Sequence, residues 1–421
     1  MSSAFVPADA PQLSPQRLQR ARFAVAALFL TNGALFANLL PHYPAIIDDL
    51  QLSNAQFGVA VASFPLGAII AGLASGVLVR RFRSSRVATA GTWLIGVAIL
   101  LAGIAPSWLA LVATLFVAGA MDAVTDVAQN SHGLRVQRLY NRSILNSFHA
   151  VWSIGAVLGG LMGAAAAGLD IPRGLHLAVS LVVFSALTLT CYRYLLPGPE
   201  PVEVPEAAGA PGQNRRAARG APAKYFILAA LVLIAAAGAL VEDAGSSWAA
   251  VYLSGPLEAS ATVAGLGFVA LTGMQFIGRM FGDRLVDRFG QRLVAQAGGT
   301  VAAAGMGTAL LFPSVAGTIT GFGLAGLGVA TLVPAAMHTA DELPGLRAGT
   351  GLTVISWLMR LGFLLSPPVV GAVADTAGLR TGLLVIPLAG AIVLAVSPAL
   401  ASRARANLPE PALPEPLGQR H

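Results

Sequence analysis

The chain has 421 residues, 56% of them apolar and only 11% charged, with 47 glycines and a net charge of +7. So few charges cannot cover the surface of a water-soluble protein of this length, which excludes a soluble enzyme or binding domain and requires an integral membrane protein. The positive charge does not indicate nucleic acid, because nearly all Lys and Arg fall in short segments between apolar runs; Cys191, the single cysteine, excludes an internal disulfide and a cysteine-based metal site.

Twelve apolar runs are long enough to cross a bilayer, near 22–40, 55–79, 87–104, 108–130, 144–167, 175–196, 225–253, 262–282, 292–311, 315–338, 348–373 and 381–401. They predict an all-α integral membrane protein of twelve transmembrane helices in two pseudo-symmetric six-helix bundles. The expected divisions are a tail over 1–20, a bundle over 21–196, a linker over 197–223, a bundle over 224–402 and a tail over 403–421. The linker and tails are rich in Pro, Gly, Ala, Glu and Arg and have no apolar period. Arg17, Arg20 and Arg22 precede the first run, so no cleavable signal peptide is expected. Arg80, Arg81, Arg83, Arg86, Arg135, Arg138, Arg142, Arg215, Arg216, Arg219, Lys224, Arg284, Arg288, Arg292 and Arg347 fall between runs on the side of the termini, whereas the opposite loops hold Arg173 and Arg380. This asymmetry predicts cytoplasmic termini in a plasma (inner) membrane.

The first run contains Asn32, suited either to a solute or to a hydrogen bond between helices. The fourth run holds two acids where hydrocarbon is expected. At a rise of about 1.5 Å per residue, Asp122 lies roughly 21 Å beyond Trp108, past the middle of a slab roughly 30 Å thick. Asp122, Asp126, Gln129 and Asn130 share one helical face, which must meet a partner or line a water-filled cavity. A carboxyl shielded from bulk water is a usable proton carrier, so Asp126 and Asp122 are proton-coupling candidates; alternatively, Asp126 and Asn130 only tie down the following loop. In the fifth run His149 and Trp152 lie three apart. They form either a cavity wall or a packing pair, and the same two readings apply to Trp248 and Trp357.

In the seventh run Glu242 and Asp243 are neighbours and cannot share one helical face. One is expected to carry a proton, the other to pair with a cation or lie at the interface. Gly245-Ser246-Ser247 predicts a local break in that helix. Gln275 in the eighth run is a further candidate ligand. Arg279, four residues before Asp283, is assigned with Asp283, Arg284, Asp287 and Arg288 to a cytoplasmic gate. Arg360, deep in the eleventh run, suits a carboxylate or phosphate of a solute, or a structural ion pair with the facing half.

The halves also echo each other. The second run ends in Gly76-Val77-Leu78-Val79-Arg80-Arg81-Phe82-Arg83 and the eighth in Gly282-Asp283-Arg284-Leu285-Val286-Asp287-Arg288-Phe289-Gly290-Gln291-Arg292; Gly155, Gly159, Gly160 and Gly163 in the fifth run answer Gly362, Pro367, Pro368 and Gly371 in the eleventh. With this repeat the chain resembles the major facilitator superfamily from about residue 20 to 402. Its turn from Asp283 to Arg292 is similar to that superfamily's loop between helices eight and nine, which holds the halves together on the cytoplasmic side. In the first-half copy Arg80 stands where an acid is usual. Asp126-Val127-Ala128-Gln129-Asn130, Ser147-Phe148-His149-Ala150-Val151-Trp152-Ser153 and Val241-Glu242-Asp243-Ala244-Gly245-Ser246-Ser247-Trp248 are similar to the fucose-permease-like branch, which includes rhizopine-transport-like proteins. The resemblance implies proton-coupled movement of a small polar solute, often a sugar or cyclitol, with Asp126 as the fourth-helix acid. Asn32 is the nearest candidate for the first-helix acid, and an amide cannot titrate, so coupling is expected on the fourth and seventh helices.

The expected function is secondary active transport of a sugar- or cyclitol-like solute by proton-coupled alternating access. The alternative is proton-coupled efflux of drugs or metabolites, although Gly159-Gly160-Leu161-Met162-Gly163 lacks the Gly-Pro step usual in drug antiporters of the superfamily. A non-transporting receptor or scaffold would leave four intramembrane acids unexplained. No phosphate loop, nucleophile elbow or metal-ligand spacing is present, so no enzyme activity, cofactor or metal is expected. The expected partners are a small-molecule substrate, protons and the lipid bilayer, with no nucleic acid and a monomeric assembly.

Overall fold

The computed structural model describes residues 14–140, 144–198, 223–341, 343, 346 and 350–400, and among them there is no β-strand. Twelve helices long and apolar enough to cross a membrane follow one another: α1 (Pro15–Leu50), α2 (Asn54–Phe82), α3 (Ser84–Gly103), α4 (Trp108–Tyr140), α5 (Leu145–Gly168), α6 (Arg173–Tyr192), α7 (Lys224–Ser254), α8 (Ala261–Phe289), α9 (Gln291–Leu311), α10 (Val315–Asp341), α11 (Thr350–Ala377) and α12 (Leu379–Ala399). An even number of crossings puts the start of α1 and the end of α12 on one side, here the terminal face; the other is the distal face.

Several helices run further toward the terminal face than their apolar stretches. Ser14 caps α1 by accepting from the Arg17 amide at 3.3 Å with Pro15 at the first helical position, so Arg17, Arg20 and Arg22 lie on the helix. α4 continues to Tyr140, and Gln137 Oε1 accepts from the amides of Ile144 and Leu145 at 2.8 and 3.1 Å, tying the end of α4 to the start of α5. α8 continues to Phe289, so Asp283, Arg284, Asp287 and Arg288 are helical and exposed, not a loop. The linker and tail expectations lie largely outside the described residues, as do Arg142, Arg215, Arg216, Arg219 and Arg347.

Within the first bundle, close approach of backbones does what side chains do elsewhere. A Cβ on Gly155, Gly159 or Gly163 of α5 would collide with the carbonyl oxygens of Leu30, Ala34 and Asn38 on α1. The pseudo-repeat extends to its turns. The residue joining α2 to α3 is Arg83 at φ 75°, ψ 140°, and the one joining α8 to α9 is Gly290 at φ 86°, ψ 154°. The same corner is thus made by glycine in one half and by a strained arginine in the other.

The bundles α1–α6 and α7–α12 meet mainly along α2 with α11 and α5 with α8. On the distal side these pairs touch backbone to backbone: Gly58 packs on Pro367 and Pro368, and Gly371 on Asn54. There the N-terminus of α2 is saturated. Ser53 N donates to Gln56 Oε1 at 3.0 Å and Gln56 N to Ser53 Oγ at 3.2 Å, while the amides of Asn54 and Ala55 donate to the two oxygens of Asp375 at 2.8 and 2.9 Å. Asp375 belongs to α11, so a carboxylate of one half caps a helix of the other. The Asn54 side chain adds a bond at 2.9 Å to the same carboxylate.

Three spans are interrupted: α1 after Ala37, toward the distal side, with a 3-10 turn at Leu40–His42, α10 at residues 330–331, and α11 at Met359. The break expected at Gly245-Ser246-Ser247 is absent, since α7 is continuous through it. The Ser246 hydroxyl donates back to the Glu242 carbonyl at 2.8 Å, and Gly245 makes room for Leu271 of α8. The Gly-Ser-Ser run serves packing.

Candidate functional site between the two bundles

The acids of α4 each head a short chain of hydrogen bonds. Asp122 Oδ1 accepts from Asn32 Nδ2 at 2.9 Å, and Asn32 Oδ1 accepts from Trp152 Nε1 at 2.8 Å. One turn on, Asp126 Oδ1 accepts from Asn130 Nδ2 at 2.8 Å, and His149 Nε2 lies 3.2 Å from Asn130 Oδ1. An amide oxygen can only accept, so this contact requires a proton on His149 Nε2. Both chains therefore run from an aromatic N–H on α5, through an amide, to a carboxylate on α4. His149 is seated edge-on against Phe29 of α1, their ring centroids 5.2 Å apart.

The second bundle answers from the other side. Glu242 Oε2 accepts from Gln275 Nε2 at 2.6 Å and pairs with Arg279 at 3.4 Å. One turn short of Asp283, Arg279 points inward and meets the acid of α7 rather than the other charged residues expected at the cytoplasmic gate. Its charge acts on His149, and that of Arg360 acts on Asp126, so cations of the second bundle face the imidazole and carboxylate of the first. Arg360 opens the second segment of α11, directly after the interruption at Met359, with its guanidinium 5.6 Å from the Trp357 ring centroid. Asp126 and His149 are exposed although they lie mid-helix, and charged groups of the second bundle face them, which fits a water-accessible space between the bundles; Trp357 is exposed as well. The distal contacts close that space on one side, so it opens toward the terminal face.

Not every expected member joins it. Gln129 is buried and donates to the Leu28 carbonyl at 3.1 Å, which ties α4 to α1; four polar residues on one α4 face resolve into three facing the space or its rim and one between helices. Trp248 is fully buried. Its ring meets Phe57 at 5.1 Å and 85°, and Phe57 meets Tyr43 at 5.0 Å and 74°, an aromatic plug joining both bundles on the distal side. Asp243 turns away from Glu242 toward Ser366 and Tyr43, as adjacency on a helix requires, and its Oδ2 has no protein partner. Asp283, Arg284, Asp287 and Arg288 stand at the terminal end of α8, remote from these groups. Sequence reasoning missed Tyr43, Phe57 and Asp375, which carry no signal apart from their place in an aromatic or helix-end context. An apolar crevice of about 580 Å³ between Ser153–Leu158 of α5 and Val269–Ile277 of α8 flanks the site without being part of it.

Two six-helix bundles holding charged side chains between them, sealed on one face and open on the other, define a membrane transporter. The profile of the Major Facilitator Superfamily matches residues 25–255. Membrane protein MosC of Rhizobium meliloti is 30% identical over 389 residues, covering 92% of each chain. Among solved structures, a bacterial homologue of the human lysosomal transporter Spinster, inward-facing and unoccupied, superposes with a TM-score of 0.70 at 16% identity, covering 92% of this chain and 98% of that one. A D-xylose–proton symporter superposes with a TM-score of 0.67 at 15% identity over 90% and 96%. The chain belongs to the Major Facilitator Superfamily.

Proposed function

We propose that the protein is a secondary active transporter that moves a small polar, sugar- or cyclitol-like solute by proton-coupled alternating access. The terminal face is cytoplasmic, as the arginine distribution favours, and the protein works as a monomer in the inner membrane. The observation that carries this reading is the opposition of Asp122 and Asp126, each held by an amide, to Glu242, Gln275, Arg279 and Arg360 across a water-accessible space. Amides and fixed carboxylates suit hydroxyl groups, and Trp152 and Trp357 suit the apolar face of a ring. A proton on Asp126 would remove the negative charge that attracts Arg360 across the space, so protonation and solute binding both act on the relation between bundles. Asp122, Asp126, Glu242 and Asp243 are the coupling acids, with Asp243 on the distal side of the set. Asn32, Asn130, His149, Trp152, Gln275, Trp357 and Arg360 form the solute site, while Asp283, Arg284, Asp287 and Arg288 await the closing of the cytoplasmic face.

A second reading, proton-coupled efflux of drugs or metabolites, is favoured by the lateral apolar crevice between α5 and α8, which would admit an apolar solute from the bilayer. Thermal-shift measurement against sugars, cyclitols, organic acids and cationic drugs, followed by flux into proteoliposomes under an imposed pH gradient, separates the two. Stabilisation by polyols with pH-driven uptake supports the first. Stabilisation by cationic drugs alone sinks it.

A further inference from the structure

The two hydrogen-bond chains on α4 fix the direction of each bond as well as its partners, and their bearing on transport rests on the proton-coupling role proposed for Asp122 and Asp126. The two ends of an asparagine amide are told apart by their partners. The indole Nε1 of Trp152 can only donate, so the Asn32 atom 2.8 Å from it is the oxygen, and the atom 2.9 Å from Asp122 Oδ1 is the NH₂. Asp122 Oδ1 is thereby an acceptor at all times. A proton placed on that oxygen would face the Asn32 N–H and lose the bond. In the second chain, Asn130 Nδ2 is within reach of both the Asp126 carbonyl at 2.9 Å and its Oδ1 at 2.8 Å, which fixes that amide in the same sense.

We propose that Asn32 and Asn130 are positioning residues that keep Oδ1 of Asp122 and Asp126 as fixed acceptors and leave Oδ2 of each as the only oxygen that takes up and releases the coupling proton. The proton comes from water in the space between the bundles, forms one O–H bond at Oδ2, and returns to water when that bond breaks. The two chains differ at their origin. The Trp152 N–H is permanent, whereas His149 holds its contact only with a proton on Nε2. Asp122 is thus the acid whose orientation does not depend on pH.

The titratable and charged groups around this pair are few. Asp126 lies one turn from Asp122 on its own helix and acts on it. From α5 comes His149 and from α11 Arg360, both acting on Asp126. α1 offers the uncharged Asn32, its charged residues Arg17, Arg20, Arg22, Asp48 and Asp49 lying at its ends; the charges of α2, α3 and the turn between them, Arg80, Arg81, Arg83 and Arg86, lie at the terminal face; and across the space stand Glu242 of α7 and Arg279 of α8.

The test is infrared difference spectroscopy of the full-length protein in lipid, titrated across the pH range, with the carboxyl C=O band of Asp122 assigned by its loss in Asp122→Asn. Trp152→Phe keeps the ring, removes the N–H and lets the Asn32 amide turn. Its Asp122 band is expected to change frequency, and its titration midpoint to move by about one to two pH units, the worth of a hydrogen bond to a charged group. The exchanged pair Asn32→Asp with Asp122→Asn rebuilds the chain with carboxylate and amide transposed, and is expected to show a titrating carboxyl band that Trp152→Phe again displaces. Asn32→Ala is the second probe should Trp152→Phe fold poorly, and a band displaced in the same way is expected. A band and midpoint indistinguishable from wild type in a folded variant overturn the proposal, as does a wild-type spectrum with no titrating band that Asp122→Asn removes. The band is read without transport, so pH-independent uptake alongside a displaced band would refute proton coupling and leave the positioning role standing.

Discussion

Asp126 is the side chain on which groups of both bundles converge, since its amide partner comes from its own helix, the His149 imidazole from α5 and the Arg360 guanidinium from α11 of the other bundle. Asp126→Asn keeps the shape and can still bond Asn130, but it cannot change charge. Uptake driven by an imposed pH gradient is expected to fall by about tenfold or more, as when a positioned acid is lost, with the melting temperature little changed. Uptake equal to wild type would remove Asp126 from coupling. Glu242→Gln leaves Arg279 without its acid. Both side chains are partly exposed, so stability should change by less than about 1 kcal/mol, while solute affinity, read by the ligand-induced melting shift, should drop. Arg83 illustrates strain in isolation. Its φ of 75° and ψ of 140° lie where glycine is at ease, and Gly290 occupies the matching corner of the other half. Arg83→Gly is expected to raise stability by about 1 kcal/mol, visible as a higher melting temperature; a lower one would mean that the arginine side chain repays the strain.

At the scale of elements, the distal contact of α2 with α11 is where the sealed face is held. Asp375 caps the first two amides of α2 from the opposite bundle, next to the Gly58–Pro367 and Gly371–Asn54 backbone contacts. Asp375→Ala is expected to weaken distal closure by about 1 kcal/mol, a roughly fivefold shift toward the distally open state, because a lost N-cap costs about that much. Spin-label distances across the distal ends of α2 and α11 would report it, and an unchanged distribution would show that glycine packing alone holds the face. Sequence patterns announced the twelve helices and the small-residue stripe on α5, since apolar length and glycine spacing are local. They did not announce the inward turn of Arg279 or the role of Asp375, because each depends on a partner more than thirty residues away in the chain, nor the interruption at Met359. The predicted break at Gly245-Ser246-Ser247 failed for the same reason. The propensity is local, and Leu271 of α8 decides the packing.

For the whole molecule, the arrangement makes accessibility directional. With the distal face closed by the Tyr43–Phe57–Trp248 plug, Asn130 is reached only from the terminal face. In a protein whose single native thiol, the buried Cys191, has been replaced by serine, an Asn130→Cys variant is expected to react with a membrane-impermeant thiol reagent added on the terminal side and not on the distal side. Equal labelling from both sides would contradict a sealed distal face. Of the site itself, Asp122, Asp126, Glu242 and Arg360 were legible because charge in an apolar run is costly and hence conspicuous. Gln129 and Trp248 were misassigned because polarity and aromaticity alone do not say whether a side chain faces water or another helix.

The amides of Asn54 and Ala55 have their acceptor, the Asp375 carboxylate, only while the bundles touch at that edge, so each separation uncovers two N–H groups that the continuous helix never protects. Their deuterium uptake is therefore a clock wired into the backbone, ticking once per excursion, and it can be read without label, substrate or mutation.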